Sequence, residues 1–504
     1  MSDDGKSYRQ ILRSSSIMGG AYGLNYLVGL VRVKIVAILL GPAGVGIISL
    51  YTSAIGLIGT ISSLGISSSG VREVAQAYSQ QDQVNAARTV RILRRLCWAT
   101  GLLGWVLVAA LAPLLSTWVF GSGKHALAIA LIGITLLLGA VTGGQTALLQ
   151  GMRRIGDIAR INVAAMLINT VVAIGLYASL GERGIVPVLI ATAAVSLSVS
   201  WWFVRRVRVE TVRLSWPETV AGARRLIGLG FAFIWGGLLG TGLDMATRTL
   251  ITRKYGIDSV GLYQAAWALS GLFVGFILTA MGTDFYPRLT SLIGDNEAAS
   301  RVVNEQTEIG MLLALPGLLG TLAFAPLVIV LFYSKRFLPG AALLPWFVLG
   351  VFGRVVSWPL GYIQLAKGAS RWFAATESAL VALEMGLILW AVPRFGVVGA
   401  AYAFAISYFA YTLAVLWVGR ILIGFQWSQG VRKVLSMSSI MILLGLGFRL
   451  LVSGPAAIVA GGAVTLAGAV LSLRGLGSRL GTDHFLVRMI CKVPGGKWAA
   501  NIRT

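Results

Sequence analysis

The chain has 504 residues, 57% of them hydrophobic and only 12% charged, with a mean hydropathy of +0.82 and a formal net charge of +24. Soluble domains carry about 25% charged residues, so a soluble globular or disordered protein is excluded. The excess of 42 Lys and Arg over 18 Asp and Glu does not mark a nucleic-acid protein either, because no polar basic module stands apart from the apolar sequence to dock on a duplex.

Apolar windows of about 20 residues recur along the chain, each long enough to cross a ~30 Å hydrocarbon core as a helix. Backbone in lipid must satisfy its own hydrogen bonds, so the sequence predicts an all-α polytopic membrane protein. Fourteen spans are expected, at about 15–38, 43–66, 95–118, 126–149, 158–180, 185–204, 226–250, 258–282, 308–333, 341–366, 373–392, 397–419, 434–452 and 455–473. The lead-in MSDDGKSYRQILRSS is polar and the apolar stretch after it is long enough to stay in the membrane, so no cleavable signal peptide is expected.

On the first span Asn25, Gly29 and Arg32 share a face. Lys34 falls about 200° around the helix from Arg32 at 100° per residue, so it snorkels to the interface instead. Arg72 closes the second span. Cys97 and Cys491 both fall on the expected cytoplasmic side and suggest no disulfide framework; His125 and His484 have no ligand-spaced partner. No GxxxxGK[ST] loop occurs, so neither a metal nor a nucleotide site is expected. Gly139/Gly143, Gly236/Gly240 and Gly271/Gly275 read as small faces for close helix packing.

The segment 203–225, FVRRVRVETVRLSWPETVAGARR, reads as a basic cytoplasmic linker. On the seventh span Thr241, Asp244, Thr247 with Arg248, and Thr252 recur every three or four residues, and a charged face cannot be turned to lipid. Arg248 either serves an anionic cargo or merely pairs with Asp244 to lower an insertion cost of ~2.5–3.5 kcal/mol per charge. Asp284 and Arg288 follow at the end of the eighth span. Pro316, Pro326, Pro345 and Pro359 are expected to kink the ninth and tenth. Arg354, Ser357, Gly361 and Gln364 form a polar face on the tenth, and Glu377 and Glu384 share one on the eleventh. Asp244, Asp284, Glu377 and Glu384 are candidates for coupling to H+ or Na+, with a hydrogen-bonded structural acid as the plain alternative for each. In the tail, Leu486, Met489, Ile490 and Val493 fall on one helical face between basic residues, a pattern suited to the anionic inner leaflet.

With the N-terminus inside, about 30 of the 42 Lys and Arg fall on cytoplasmic segments and about seven on outside loops, so both termini are expected in the cytoplasm.

The chain also repeats itself. LGPAGVGIISL (40–50) aligns with YGIDSVGLYQA (255–265), matching Gly41 with Gly256, Val45 with Val260 and Gly46 with Gly261. LQGMRRIG (149–156) resembles AKGASRWF (366–373), pairing Gly151 with Gly368, and RGIV (183–186) resembles FGVVG (395–399). About six spans separate the copies, which implies parallel repeats about a pseudo-two-fold along the membrane normal. The expected organisation is a six-helix lobe over 1–204, a linker over 205–225, a second lobe over 226–420, two further helices over 421–473 and a basic tail over 474–504.

RVKIVAILLGPAGVGIISL followed by LGISSSGVREVAQ resembles the opening of Wzx-type polysaccharide flippases. These belong to the superfamily that also holds multidrug antiporters and lipid II flippases. The resemblance implies two lobes forming a V, alternating access, and a cationic cavity for undecaprenyl-pyrophosphate-linked oligosaccharide in the bacterial inner membrane. Membrane lipids, a polysaccharide polymerase and chain-length machinery would be its partners. Many such flippases have twelve spans; fourteen is the count of the lipid II flippases. Arg32, Arg248, Arg354, Asn25, Gln364, Arg72 and Arg288 are the expected cavity residues, since Arg offers paired donors to a dense anion. A lipid II flippase and an ion-coupled drug antiporter are the rivals of the same class. A membrane glycosyltransferase or polymerase is the rival of another, disfavoured by outside loops of only about 5–12 residues, shorter than most structureless functional loops.

Overall fold

The computed structural model describes residues 3–79, 83–207, 212, 214–451 and 454–480, and among these every regular element is helical. The helices are α1 (Asp3–Ser63), α2 (Ile66–Ser79), α3 (Gln83–Phe120), α4 (Ala126–Ile132), α5 (Ile134–Gly151), α6 (Ile155–Leu180), α7 (Ile185–Val204) and α8 (Trp216–Tyr255), then α9 (Ile257–Leu292), α10 (Asn296–Ala323), α11 (Ala325–Phe332), α12 (Leu344–Ala366), α13 (Ser370–Phe395), α14 (Val398–Ile423), α15 (Gln429–Leu451) and α16 (Pro455–Leu480). Eleven stretches of the described residues are long and apolar enough to cross a membrane. The tail residues Leu486, Met489, Ile490 and Val493, with His484 and Cys491, lie outside the described residues.

The chain divides into two compact units, one running to Gly261 and taking in Phe332–Ser334, the other holding the rest. α8 therefore packs with the first unit, against α1, α2 and α3. Its entry is a capping box: Ser215 accepts from the Glu218 N–H, and the Glu218 carboxylate accepts from the Ser215 N–H. Arg95 of α3 donates to the carbonyl of Leu214 and to Thr219, and Arg88 lies 3.5 Å from Glu218, which ties α3 to this junction. The Ser215 N–H first, then the Ser215 hydroxyl and the Arg88 charge, hold the Glu218 carboxyl below its usual range. A depressed carboxylate contributes stability that is whole above its ordinary pKa and lost as pH falls through the folded value. Glu218→Gln is thus expected to flatten the acid limb of the melting profile below about pH 4.5, and an unchanged acid limb would show that the box is not formed.

The breaks between helices carry the repeat. Gly41, inside α1, has φ 65° and ψ −170°; Gly256, between α8 and α9, has φ 84° and ψ 172°. Glycine alone adopts this region at little cost. The same spacing of 215 residues joins Gly181 (φ 56°, ψ −133°) to Gly396 (φ 67°, ψ −157°), and Arg154 (φ −80°, ψ 57°) to Ala369 (φ −81°, ψ 58°). α6 and α13 are both 26 residues long and start 215 positions apart. The backbone thus shifts two of the sequence pairings. Arg153, at φ 56°, is the counterpart of Gly368 at φ 67°, in place of Gly151, and Gly181 is the counterpart of Gly396.

Within the first unit, Gly46 and Gly261 mark a close crossing. A Cβ on Gly46 would strike the Ile257 carbonyl, and one on Gly261 would strike the Pro42 carbonyl. Overpacking of this kind costs typically about 1–3 kcal/mol. Gly261→Ala is therefore expected to lower the melting temperature of the detergent-solubilised protein by several degrees. Gly236→Ala, with no neighbour within 4 Å of the added methyl, is expected to leave it unchanged. Equal melting of the two variants would refute the crossing.

The glycine pairs singled out in the sequence are not the tight ones. Added Cβ atoms on Gly139, Gly236, Gly240, Gly271 and Gly275 meet no atom of their own unit within 4 Å. In the second unit the close approaches instead use Gly461, Gly468 and Gly475 of α16, seven residues apart, which receive Ala323, Leu319 and Leu312 of α10. Without a hydrophobic drive between helices in lipid, such small-residue faces supply the contact area that holds helices together. α15 packs on the same helix, with Gly445 against Leu322. Ring pairs Tyr263–Phe347 and Trp267–Phe404, with centroids 5.6 and 4.8 Å apart, join α9, α12 and α14. Each such pair adds about 0.5–1.5 kcal/mol beyond its contact area.

Two of the four expected kinks are helix starts. Pro326 and Pro345 occupy the first turns of α11 and α12, where a missing N–H costs nothing. Pro316 and Pro359 do lie inside α10 and α12.

Candidate functional site

In the first unit, α8 presents the polar face read from the sequence, and most of it turns inward. Thr241, Thr247 and Thr252 each donate to the carbonyl four residues back, so their hydroxyls are satisfied on their own helix. Arg248 Nη1 lies 3.4 Å from Asp244 Oδ2; the Arg248 side chain is 9% exposed and that of Asp244 41%. One charge of the pair is thus held within the bundle and the other stands at its surface. One turn further, Arg253 donates to the carbonyls of Thr117 and Trp118 at the end of α3, a cation where the helix leaves unpaired acceptors.

Arg32 is half-buried on α1 and lies within electrostatic reach of Tyr177 on α6, the helix that α1 packs against. Asn25 is half-buried one face-turn earlier on α1, and Arg72 is exposed on α2. Thr247, which stands where Arg32 does in the other repeat, is 2% exposed.

The sequence reading missed a cavity of about 730 Å³ in the same unit, lined by Val71, Thr142, Thr146, Gln150 and Ser196 with Gly139 and Gly143. Asn169 Nδ2 donates to Ser196 Oγ over 3.1 Å, while Asn169 Oδ1 is buried without a partner. Thr142, Thr146 and Gln150 recur every fourth residue of α5, a stripe of hydroxyls and an amide that was there to be found. Gly139 and Gly143 line this cavity, and an added Cβ on Gly139 meets nothing within 4 Å, so the close packing their spacing suggests is not made at Gly139. Uncharged donors and acceptors in a concave surface suit a polyhydroxylated ligand.

In the second unit the polar side chains gather between α12, α13 and α14. Gln364, fully buried, accepts from Thr376 Oγ1 over 3.0 Å, and its Nε2 has no hydrogen-bond partner. Glu377 accepts from Tyr411 Oη over 2.6 Å. Glu384 is 8% exposed, and Tyr408 lies within electrostatic reach of Arg354, Glu384 and Glu377 together. The face read on α12 is therefore split. Ser357 and Gln364 pack inward, whereas Arg354, in the middle of the 23-residue helix, is exposed. Arg288 pairs with Glu305 over 3.1 Å, both about half exposed, a surface pair worth little to stability. The side chain of Asp284 lies outside the described residues. Among the described residues no three His, Cys, Asp or Glu gather as a metal site.

A guanidinium at mid-helix in a membrane protein either pairs or faces water. In the second unit Arg354 is exposed beside a buried Tyr–Glu network; in the first, a nearly buried Arg248 pairs with a partly exposed Asp244, and a separate cavity is lined by hydroxyls.

Comparison with known proteins follows the same lines. The model of the family described as polysaccharide biosynthesis protein matches residues 35–342. The lipid III flippase of Escherichia coli K12 is 24% identical over 392 residues, which cover 77% of this chain and 92% of that protein. Among solved structures, the lipid II flippase MurJ in an inward closed conformation superposes with a TM-score of 0.67 at 14% identity, covering 91% of this chain and 99% of that one. An inward-facing multidrug-resistance MATE transporter superposes with a TM-score of 0.66 at 15% identity, over 81% and 96%. At these identities the superpositions speak for the fold.

Proposed function

We infer, for a chain that belongs to the polysaccharide biosynthesis protein family, that its cargo is an undecaprenyl-pyrophosphate-linked oligosaccharide, flipped across the bacterial inner membrane by alternating access. The observation that carries this reading is Arg354, exposed at the centre of α12. A cation there is costly to insert, and a path for a pyrophosphate is what makes the cost useful. Arg32, Arg248, Asn25 and Arg72 of the first unit and Gln364 and Arg288 of the second are the further candidates for contact with the cargo. The hydroxyl-lined cavity of the first unit takes the sugar. Asp244, Asp284, Glu377 and Glu384 are the candidates for H+ or Na+ coupling.

We count fourteen crossings by reading α1 as two spans divided at Gly41, α6 and α7 as one span each within a single apolar stretch, and α8 as a further span beyond the eleven apolar stretches. By the repeat we assign lobes over 1–204 and 226–420, joined by 205–225 and followed by the extra helices of 421–473 and the tail of 474–504; α8 opens the second lobe in sequence while packing within the first compact unit. Both termini then lie in the cytoplasm. Accessibility tags at Ser79, Val212 and Thr504 are expected to report the cytoplasm and one at Ser122 the outside; Ser79 and Ser122 on the same side would overturn the arrangement.

The decisive experiment is reconstitution. Purified protein in vesicles is expected to move lipid-linked oligosaccharide between leaflets, and to release no phosphate and form no glycosidic bond in detergent. Turnover of a lipid-linked donor in detergent would make the chain an enzyme and end the transporter reading. A polysaccharide polymerase and chain-length machinery would receive the flipped product.

A further inference from the structure

A groove of about 630 Å³ opens on the side of the first unit between α3, α5 and α7. Leu93, Cys97, Val141, Leu148, Leu197 and Val204 form its apolar wall. Arg94 and Arg205, both exposed, stand at its open end. The Arg205 guanidinium lies 3.8 Å from the ring centre of Trp202 and 5.2 Å from that of Trp201. These contacts hold the cation beside the groove. Trp98 and Trp201 line the groove and are themselves about half exposed, as tryptophans are at the level of lipid headgroups. Gln145 also lines it, and the buried Oε1 of Gln145 has no hydrogen-bond partner.

The second repeat closes the equivalent level. Leu360, fully buried, stands 215 residues from Gln145, and Gly419 stands in the place of Val204. A Cβ on Gly419 would lie 3.4 Å from Ile363 and 4.0 Å from Leu360, so α12 and α14 meet where α5 and α7 part. Arg420 keeps the basic position of Arg205. What distinguishes the first repeat is an opened slot with an amide on its wall and a second cation at its mouth.

We propose that this groove holds one anionic diacyl phospholipid, with its phosphate between Arg94 and Arg205, its ester region at Gln145 and an acyl chain along the apolar wall. Exposed guanidiniums beside an apolar slot match the two ends of such a molecule, and basic pockets between transmembrane helices take anionic headgroups. With its amide turned by 180°, Gln145 places its NH2 at the position that lacks a protein partner, and the NH2 can there donate to an ester carbonyl. The occupant is bulk lipid and not the scarce carrier lipid of the cargo. A site open sideways to the bilayer fills by mass action with what surrounds it. The site is independent of the cargo-binding residues.

The test uses the full chain in detergent, titrated with dioleoylphosphatidylglycerol or dioleoylphosphatidylcholine and read by native mass spectrometry. Phosphatidylglycerol is expected to be retained at least tenfold over phosphatidylcholine, with the preference falling to within twofold in the Arg94→Gln, Arg205→Gln double variant. A second measurement leaves the groove intact. In a Cys491→Ser background, methanethiosulfonate labelling of Cys97, on the groove wall, is expected to be at least fivefold slower in phosphatidylglycerol nanodiscs than in phosphatidylcholine ones. It decides the matter if the double variant fails to fold. An unchanged preference in a folded double variant, or equal labelling in the two lipids, overturns the proposal. Undecaprenyl phosphate displacing phosphatidylglycerol at a lower mole fraction would assign the groove to the carrier lipid instead. Protection by inorganic phosphate alone would reduce it to an anion site.

Discussion

Arg354→Ala is expected to insert and fold normally and to lose export by about a hundredfold or more. The side chain is exposed at the centre of α12, so removing it opens no cavity. Alanine is the best helix former, and removing a mid-span charge relieves ~2.5–3.5 kcal/mol of insertion cost. The loss falls on transport. A guanidinium holds a phosphate through two charge-assisted bonds of roughly 1.5–3 kcal/mol each, and about 1.4 kcal/mol corresponds to a factor of ten. Lipid-linked oligosaccharide is then expected to accumulate on the cytoplasmic side. Arg354→Lys is expected to recover part of the activity, since Lys keeps the charge without the planar fork. The readout is surface display of the glycan in cells whose expression level is matched by immunoblot. Wild-type display by a well-expressed Arg354→Ala would remove the cationic centre from the mechanism.

The network beneath Arg354 shows why only half of this site is legible in the residue pattern. Spacings of three and four residues placed Arg354, Ser357, Gly361 and Gln364 on one face, and a helix of α12's length follows from its apolar window. Spacing does not say which edge of a face is covered. α14 packs along α12, so that Tyr411 comes within 3.5 Å of a Cβ built on Gly361, and this buries the centre of the face while leaving Arg354 at its border. The partners Tyr408 and Tyr411 sit on a helix remote in sequence, and no local periodicity points to them. The same limit accounts for the cavity at Thr142, Thr146 and Gln150. Its stripe is visible in the spacing, but Gly139 and Gly143 beside it suit close packing equally well, and only the position of the neighbouring helices decides between a packed face and a cavity.

The repeat was legible for a different reason. Gly41 and Gly256 need a backbone region open to glycine alone, so a conformational demand keeps the residue type visible in both copies. Where the demand is weaker, the residue drifts. Arg153 occupies φ 56° where Gly368 has φ 67°, and matching letters there misplaced the pairing by two positions. Arg32 and Thr247 show the further step, in which equivalent positions carry a cation in one copy and a hydroxyl in the other, with Arg248 one residue away. The charge stays at about the same depth while the residue that carries it moves.

The second large effect concerns that neighbour. The Asp244–Arg248 pair on α8 is 3.4 Å apart with the cation nearly buried and the carboxylate half exposed. Arg248→Ala alone is ambiguous, because it leaves Asp244 without its counter-charge. Asp244→Asn alone is worse, since breaking a pair around a buried charge costs about 3–5 kcal/mol. The informative variant changes both, Asp244→Asn with Arg248→Gln, which keeps shape and hydrogen bonding and removes both charges. If the pair only offsets its own insertion cost, the double variant is neutral or more stable and exports normally. If Asp244 holds Arg248 while the path is empty and yields it to the pyrophosphate, the double variant folds and inserts as the wild type does but fails to export. The second outcome is expected, with lipid-linked oligosaccharide accumulating inside and a melting temperature at or above that of the wild type. Arg248→Lys separates charge from geometry, because Lys can still pair with Asp244 yet cannot offer a phosphate two parallel donors, so partial export is expected from it. Full export by a double variant that melts normally would leave the pair a structural device and confine the cargo's anchor to Arg354.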